Sequence, residues 1–255
     1  MLLAIDVGNT NIVLGCFDGE EILFRERVST NQQATDLEYI ALIRTSLDMY
    51  RIRPEQITEA IISSVVPSVT ATLKKAIRKC TGAEAIAVGP GIKTGLSIVI
   101  DNPAQLGSDL VVDAVAGIHE YSLPLIVIDM GTATTLSVID SKKRYLGGVI
   151  MTGVAVSTDA LVSRTSQLPK IAFEAPKHVI GTNTIDCMKS GILYANASAL
   201  DGMIERIEEE LGERCTVVAT GGLAGVITPL CRREGIILDD DLLLKGLNLI
   251  YQKNK

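Results

Sequence analysis

A short apolar run that leads into an aspartate, a glycine and a threonine occurs twice in this chain of 255 residues. The first copy places Asp6 and Gly8 at the end of the run, and the second places Asp129 and Gly131 there. The copies lie 123 positions apart and align without a gap, Asp on Asp and Gly on Gly. Because a repeat at a fixed offset is a stronger signal than either copy alone, the sequence predicts two duplicated halves of nearly equal length.

The residue types in each copy suit the binding of a phosphate group. Glycine lets the backbone approach closely, short hydroxyl and amide side chains donate hydrogen bonds, and a carboxylate can hold a metal ion or a water molecule. One copy by itself could equally be a hairpin whose polar residues satisfy a tight turn. Its repetition favours a site in which both phosphate turns face one nucleotide across a cleft.

Strand and helix patterns fill the rest of the chain. Residues 11–17 and 21–29 have strand composition and complete a meander with the first apolar run. Thr35 and Glu38 have the spacing of a capping box, which predicts a helix that begins there. A strand within residues 57–66 is then followed by a helix from about residue 69. The sequence therefore predicts an α/β protein.

Composition excludes several classes of function. The net charge of −6 argues against a nucleic-acid partner, for which a basic face is expected. No apolar run approaches membrane-spanning length, and Asp6 interrupts the only apolar stretch that could open a secretory signal. The sequence has no Walker loop and no G-x-S-x-G motif, and its two histidines fall in no motif. We therefore expect a soluble cytoplasmic protein that binds no nucleic acid and no membrane.

The paired Asp-x-Gly-x-Thr turns resemble those of the superfamily of acetate kinases, sugar kinases, heat-shock ATPases and actin. Within it, six short motifs are similar to those of the type III pantothenate kinases. They are DxGNT from Asp6, SSVVP from Ser63, N-P-x-x-x-G-x-D from Asn102, DxGTATT from Asp129, I-G-x-N-T from Ile180 and ATGG from Ala219. The resemblance implies two duplicated ribonuclease H-like (actin-like ATPase) domains, residues 1–117 and 118–255, with an ATP cleft between them.

The resemblance also implies roles for individual residues. Asp109 would be the general base, Asp129 would hold a potassium or ammonium ion, and Asp6 is a candidate for the magnesium that accompanies ATP. ATP would contact Asp6, Val7, Gly8, Asn9, Thr10, Asn11, Ile12, Val13, Thr132, Gly221 and Gly222. The substrate would contact Ile100, Gly107, Ser108, Asp109, Leu110 and Thr184. From the residues alone, Ser108, Asp109 and Thr184 could instead be helix N-caps.

The implied reaction is ATP-dependent phosphorylation of pantothenate to 4'-phosphopantothenate, the first step of coenzyme A biosynthesis. The implied assembly is a homodimer with the substrate site at its interface. Three positions depart from the family pattern, because Leu110, Ile100 and Thr152 replace an arginine, a tyrosine and a proline. Loss of the arginine removes a planar cation that could hold a carboxylate. Two alternatives therefore stay open: a nucleotide-binding regulatory protein without catalysis, or a kinase of another small hydroxyl compound.

Overall fold

The computed structural model describes all of residues 1–255 as two compact units. The first unit contains residues 1–96, 102–116 and 242–255, and the second contains residues 97–101 and 117–241. The strands are β1 (Leu2–Val7), β2 (Asn11–Asp18), β3 (Glu21–Ser29), β4 (Glu59–Ser64), β5 (Ala85–Ala87), β6 (Ser97–Ile98), β7 (Leu125–Met130), β8 (Ala133–Ile139), β9 (Arg144–Thr152), β10 (Thr216–Thr220) and β11 (Ile236–Leu238). The helices are α1 (Asp36–Met49), α2 (Pro67–Thr81), α3 (Ser108–Glu120), α4 (Val154–Ser163), α5 (Thr184–Leu211), α6 (Ala224–Ile227) and α7 (Leu242–Asn254).

The first unit is a five-stranded sheet in the order β3-β2-β1-β4-β5. β1, β2 and β3 form the predicted antiparallel meander, and β4 pairs in parallel with β1. Because side chains alternate across a strand, Leu3 and Ile5 face the core formed with α1 and α2, whereas Leu2 and Ala4 face the core formed with α3 and α7. The sheet is therefore buried on both faces.

Local signals fixed the ends of several elements in this unit. β3 has the predicted bounds, and the capping box is present, since Thr35 N–H donates to Glu38 Oε2 at 2.7 Å and Glu38 N–H donates to Thr35 Oγ1 at 3.4 Å. α2 begins two residues before the predicted position because Pro67 occupies its first turn, where a missing N–H costs nothing. It ends at Gly82, whose φ of 81° is left-handed.

The second unit is a six-stranded sheet in the order β11-β10-β7-β8-β9-β6. The 28-residue helix α5 buries Leu193, Leu200 and Ile204 in a core with alternate residues of β7 and β10, including Ile126 and Val217. No helix of the protein combines the length and apolar character needed to cross a bilayer.

The sequence repeat is visible in the strands, but the gapless alignment is wrong beyond the turn. β1 and β7 coincide at the offset of 123, with Val7 opposite Ile12 in the first unit. In the second unit Met130 lies opposite Thr134, one position earlier than the offset requires. The second turn therefore has one residue fewer, which moves every later residue of β8 to the other face relative to the gapless alignment.

The compact units also differ from the division into residues 1–117 and 118–255. Helix α7 belongs to the first unit, where Leu244, Leu247 and Ile250 are buried with residues of β1 and β4. Gly246 allows this packing, because a Cβ there would lie 2.2 Å from the carbonyl oxygen of Val112 in α3. Residues 97–101 belong to the second unit, where β6 pairs with β9.

The acidic residues 239–241 precede α7, and the first of them is buried. Asp239 is 7% exposed and accepts a hydrogen bond from the Tyr121 hydroxyl at 2.7 Å. Burial raises the pKa of Tyr121, and the hydrogen bond to Asp239 raises it further. The pair therefore links two segments of the second unit that are 118 residues apart in sequence.

Candidate functional site

The first Asp-x-Gly turn is closed by hydrogen bonds of its own backbone. Gly8 N–H donates to Asn11 O at 2.9 Å. Thr30, the residue after β3, also holds the turn: its Oγ1 donates to Gly8 O at 2.7 Å and its N–H donates to Thr10 O at 2.9 Å. Asn9 and Thr10 are exposed at its tip. The turn therefore presents polar side chains on a fixed backbone.

The predicted ATP-binding residues of the first unit differ in whether their side chains can reach a ligand. Val7 and Ile12 are fully buried in the core with α1 and α2, so a contact from them to a ligand would have to be through the backbone. Asp6 and Val13 lie opposite each other on the other face of the sheet. This segment can thus offer a ligand the side chains of Asp6, Asn9 and Thr10.

The second turn is shorter and packs closely on the start of α4. Gly131 N–H donates to Ala133 O at 3.0 Å, and Gly153 N–H donates to Thr132 O at 3.2 Å. A Cβ on Gly153 would lie 2.3 Å from Thr132 O, so only glycine permits this approach. Thr132, which was assigned to the ATP phosphates, is exposed at the turn.

Asp129 lies between two threonines on one face of the second sheet. The register places Thr135 of β8 opposite it on one side and Thr220 of β10 opposite it on the other. The equivalent neighbours of Asp6 are Val13 and Ser63. The Thr135 hydroxyl oxygen is buried and has no hydrogen-bond partner. Because buried polar groups are almost always paired, this oxygen is suited to a ligand beside Asp129.

The residue that follows β10, Gly221, lies where only a glycine fits. Its φ is 95°, and a Cβ there would lie 2.6 Å from both Asp129 Oδ1 and Met130 N. Any larger residue would displace the carboxylate or the strand that carries it. Gly222 follows directly, at the start of the turn to α6. The turn that was predicted to contact ATP through Gly221 and Gly222 is therefore in contact with the start of the second phosphate turn.

Asp109 lies in the first turn of α3, and its carboxylate folds back over the segment that precedes the helix. Asp109 Oδ1 accepts the Leu110 N–H at 2.9 Å, which satisfies one of the unpaired donors of a helix start. A Cβ on Gly107 would lie 2.3 Å from Oδ1, so the glycine provides room for the carboxylate. Asp109 is therefore inside the helix, as is Ser108, the first helical residue, so neither is the N-cap.

The predicted substrate residues are divided between the two units. Gly107, Ser108, Asp109 and Leu110 belong to the first, whereas Ile100 and Thr184 belong to the second. The sequence left open whether Thr184 caps α5, and it does not.

Asn183 occupies the cap position of α5, where its Oδ1 accepts the Asp186 N–H at 2.9 Å. Thr184 is exposed in the first turn, so its side chain is available to a ligand. Ile100 lies beside Gly147 of β9, with its Cγ2 3.9 Å from the position of a Cβ there.

No group of three or more His, Cys, Asp or Glu side chains is placed to hold a metal ion. Asp6 and Asp129 are the carboxylates assigned to cations, and neither belongs to such a group. A cation at either position would need further ligands from hydroxyl groups, backbone carbonyls or phosphate oxygens.

A family model described as type III pantothenate kinase matches residues 2–206. The chain belongs to the type III pantothenate kinase family. The relatives named type III pantothenate kinase from an Exiguobacterium strain and from Halalkalibacterium halodurans are each 45% identical to it, and each match covers 100% of both chains. A third, from Moorella thermoacetica, is 42% identical with the same coverage.

Solved structures confirm the fold class. A protein described as a putative Baf family transcriptional activator from Campylobacter jejuni is similar with a TM-score of 0.59 at 19% identity, covering 99% of this chain and 98% of its own. The Acidaminococcus fermentans (R)-2-hydroxyglutaryl-CoA dehydratase component A has a TM-score of 0.57 at 16% identity, with 100% and 99% covered. At these identities the likeness concerns the fold, which is the predicted pair of ribonuclease H-like, actin-like ATPase domains.

Sequence reasoning missed three residues that the structure places beside the predicted ones. Thr135 and Thr220 flank Asp129, and Ser63 pairs with Asp6 in the first sheet. All three lie within motifs that the sequence did identify. Their positions next to the aspartates depend on strand register, and for Thr135 the gapless alignment was wrong by one residue.

The unpaired hydroxyl of Thr135 predicts an unusual effect of its replacement by valine. In protein without nucleotide or potassium, Thr135→Val should raise the free energy of unfolding by up to about 1 kcal/mol, because a buried polar group without a partner is removed. The matched control is Thr158→Val, which loses the bond from Thr158 Oγ1 to Val154 O at 2.7 Å. It should lower that free energy by about 1 kcal/mol.

Urea denaturation of the two variants and the unmodified protein measures both changes. If Thr135→Val destabilises the protein as much as Thr158→Val, the hydroxyl has a partner in solution and is not open to a ligand.

Proposed function

We propose that this chain phosphorylates pantothenate at the expense of ATP, giving 4'-phosphopantothenate and ADP, the first step of coenzyme A biosynthesis. Similarity over the full length to type III pantothenate kinases carries the proposal. It is supported by the presence in this chain of Asp109 and of both Asp-x-Gly turns. The chain is accordingly a phosphotransferase that acts on an alcohol group.

Phosphoryl transfer requires mainly positioning and stabilisation of charge. We assign the phosphates of ATP to the turn that follows Asp6 and to the turn that carries Thr132. Gly221 and Gly222 are assigned to the adenosine moiety, where the absence of side chains lets a ligand approach the backbone. Val7 and Ile12 would take part only through their backbone groups.

The general base is assigned to Asp109. Its Oδ1 is held by the Leu110 N–H, and its Oδ2 makes no hydrogen bond and remains available to a substrate. As the pantothenate hydroxyl oxygen bonds to the γ-phosphorus, its proton would pass to Oδ2 and the bond to the β-phosphate oxygen would break. A carboxylate is adequate here, because the base only has to accept a proton late in a loose transition state.

Asp129 is assigned to a potassium or ammonium ion. The buried Thr135 hydroxyl beside it suits this role, because hard cations prefer oxygen ligands. Such an ion would supply positive charge near the phosphates. Asp6 has the apolar Val13 in the position of Thr135, so we assign it instead to the magnesium that arrives with ATP.

The acceptor pocket carries the main argument for a second candidate function. Leu110 and Ile100 bring neither a cation nor a phenolic hydroxyl to the positions where the family has arginine and tyrosine, and Thr152 at the end of β9 replaces a proline. Pantothenate is a carboxylate, which a cation would normally hold. The alternatives are therefore a kinase of another small hydroxyl compound and a regulatory protein that binds nucleotide without turnover.

Release of ADP by the purified protein tests the proposed function directly. With magnesium ATP, we expect release that depends on pantothenate and that requires potassium or ammonium, since Asp129 is assigned to that ion. In sodium alone the rate should be at least about tenfold lower, because oxygen ligands spaced for potassium would hold the smaller sodium ion poorly and its charge would not be fixed near the phosphates. Release that never responds to pantothenate, in protein that still binds ATP, would favour one of the two alternatives.

Replacement of Asp109 tests the assignment of the base. Asp109→Asn should lower kcat by at least about 100-fold, because general-base catalysis contributes this much or more, and should leave ATP affinity unchanged. Calorimetric titration with a non-hydrolysable ATP analogue measures that affinity. Asp18→Asn, at the exposed end of β2 in the same unit, is the control that should behave like the unmodified protein. Full turnover by Asp109→Asn would exclude the assignment.

We further propose that two copies of the chain form a homodimer through an apolar patch of the second unit. It comprises exposed apolar side chains of β9, of α4, of the segment that leads into α5 and of the first turn of α5. Its side chains are between 39% and 84% exposed: Ile150, Val156, Leu161, Val179, Ile180 and Ile185. Apolar side chains in such number on one unit are typical of a surface that is covered in the assembly. Thr184 lies beside this patch in sequence, which fits a substrate site at the dimer interface.

The oligomeric state tests the patch. Light scattering should give twice the mass of one chain, and Ile180→Asp should shift the protein to the monomer, because a charge would have to be buried at the interface. Leu37→Asp is the matched control, since Leu37 is 70% exposed on α1 of the first unit. A dimer that withstands Ile180→Asp and two further aspartates in the patch would place the interface elsewhere.

A further inference from the structure

The hydroxyl group of Ser108 joins the first turn of α3 to the carboxyl end of β4. Ser63 Oγ and Ser64 N–H both donate to Ser108 Oγ at 3.1 Å, and Ser108 Oγ donates to Ser64 O at 3.1 Å. The two segments are 44 and 45 residues apart in sequence. These three bonds are therefore a tertiary connection and not part of a local turn.

The bonds use the full capacity of this hydroxyl group. A serine hydroxyl has one donor and two acceptor lone pairs, and Ser108 gives its donor to a carbonyl and both lone pairs to neighbouring donors. Ser63 is completely buried, so no water molecule can accept the hydrogen bond of its hydroxyl group if Ser108 is replaced. The Ser108 side chain consequently has no remaining group with which to bind a substrate.

Ser108 is hydrogen-bonded to β4, and β4 pairs with β1, the strand that leads into the first phosphate turn. Ser63 pairs with Asp6, and Ser64 pairs with Val7, in the parallel register of β1 and β4. The residue that follows Ser108 is the proposed base. One hydroxyl group therefore connects the backbone that carries Asp109 to the strand beside Asp6.

The residues on either side of Ser108 and Asp109 restrict the orientation of the Asp109 carboxylate. Gly107 leaves room for Oδ1, and the Leu110 N–H fixes Oδ1 at 2.9 Å. Both constraints belong to the same short segment and move with it. The hydrogen bonds of Ser108 tie the segment itself to β4.

We propose that Ser108 is a positioning residue for the phosphoryl transfer, acting through Asp109 and not by contact with the substrate. Its hydroxyl fixes the first turn of α3 against β4, so that the carboxylate stays in the orientation that removes the proton. The inference rests on the proposed function, because it presupposes that Asp109 is the base.

Ser108→Ala is the first test. We expect kcat to fall by about tenfold, since displacement of a reacting group by a fraction of an ångström is costly, while the KM for ATP changes by less than about twofold. Rates are expressed per ATP-binding site, measured by nucleotide titration, so that loss of folded protein does not count. The matched control is Ser46→Ala, because Ser46 is 6% exposed and its Oγ donates only to Leu42 O of its own helix.

Two further variants separate positioning from general stability. Ser108→Thr retains a hydroxyl and should recover about half or more of the kcat. Ser63→Ala removes one donor but leaves the two bonds to Ser64, so we expect a smaller fall in kcat than in Ser108→Ala. Ser46→Ala should lower the unfolding midpoint without any change in kcat per site.

The outcomes distinguish the inference from the function on which it rests. If the unmodified protein does not turn over pantothenate, the proposed function fails and the inference fails with it. If the unmodified protein is active and Ser108→Ala has the same kcat per site, the inference alone is overturned. A tenfold loss that Ser108→Thr does not relieve, or a parallel rise in the KM for pantothenate alone, would also overturn it, because either would indicate contact with the substrate.

Discussion

In each unit the first strand pairs in parallel with a later strand, β1 with β4 and β7 with β10. The rest of the structure depends on this pairing. It places Ser63 beside Asp6 in one sheet and Thr220 beside Asp129 in the other. Because the carboxyl ends of parallel strands lie at one edge of a sheet, the turns that follow them are brought together there. Each unit thus gathers an aspartate, a hydroxyl group and a glycine turn from segments that are far apart in sequence.

The residues around the aspartate differ between the two units. In the first, the hydroxyl beside the aspartate is engaged by Ser108 and connects the sheet to the helix that carries Asp109. In the second, the turn is one residue shorter, and this brings Thr135 to the face of Asp129, where the first unit has Val13. Under the proposed function, the first unit would orient the Asp109 carboxylate and the second would offer oxygen atoms to a cation. A duplicated fold has in this way acquired two chemically distinct edges.

Much of the fold could be predicted because its signals are local. The capping box at Thr35, the bounds of β3 and the glycine end of α2 follow from the preferences of a few neighbouring residues. The register of β8 could not be predicted, because both alignments place small polar residues in the turn. The position of α7 was also beyond the sequence, since its close packing on α3 at Gly246 involves residues that are far away in the chain.

The sequence by itself determined the duplication, the family and the identity of the chemical groups, because these depend on motifs that are contiguous in the chain. Only the tertiary structure decided which groups meet. In the folded protein the Ser108 hydroxyl bonds to β4 and does not cap a helix, and Asp109 lies inside the first turn of α3. The unpaired hydroxyl of Thr135 lies beside Asp129. The physical reason is that hydrogen bonds across 40 residues or more, and side chains on adjacent strands, are set by packing and register. Neither can be read from the spacing of residues or from a short motif in the sequence.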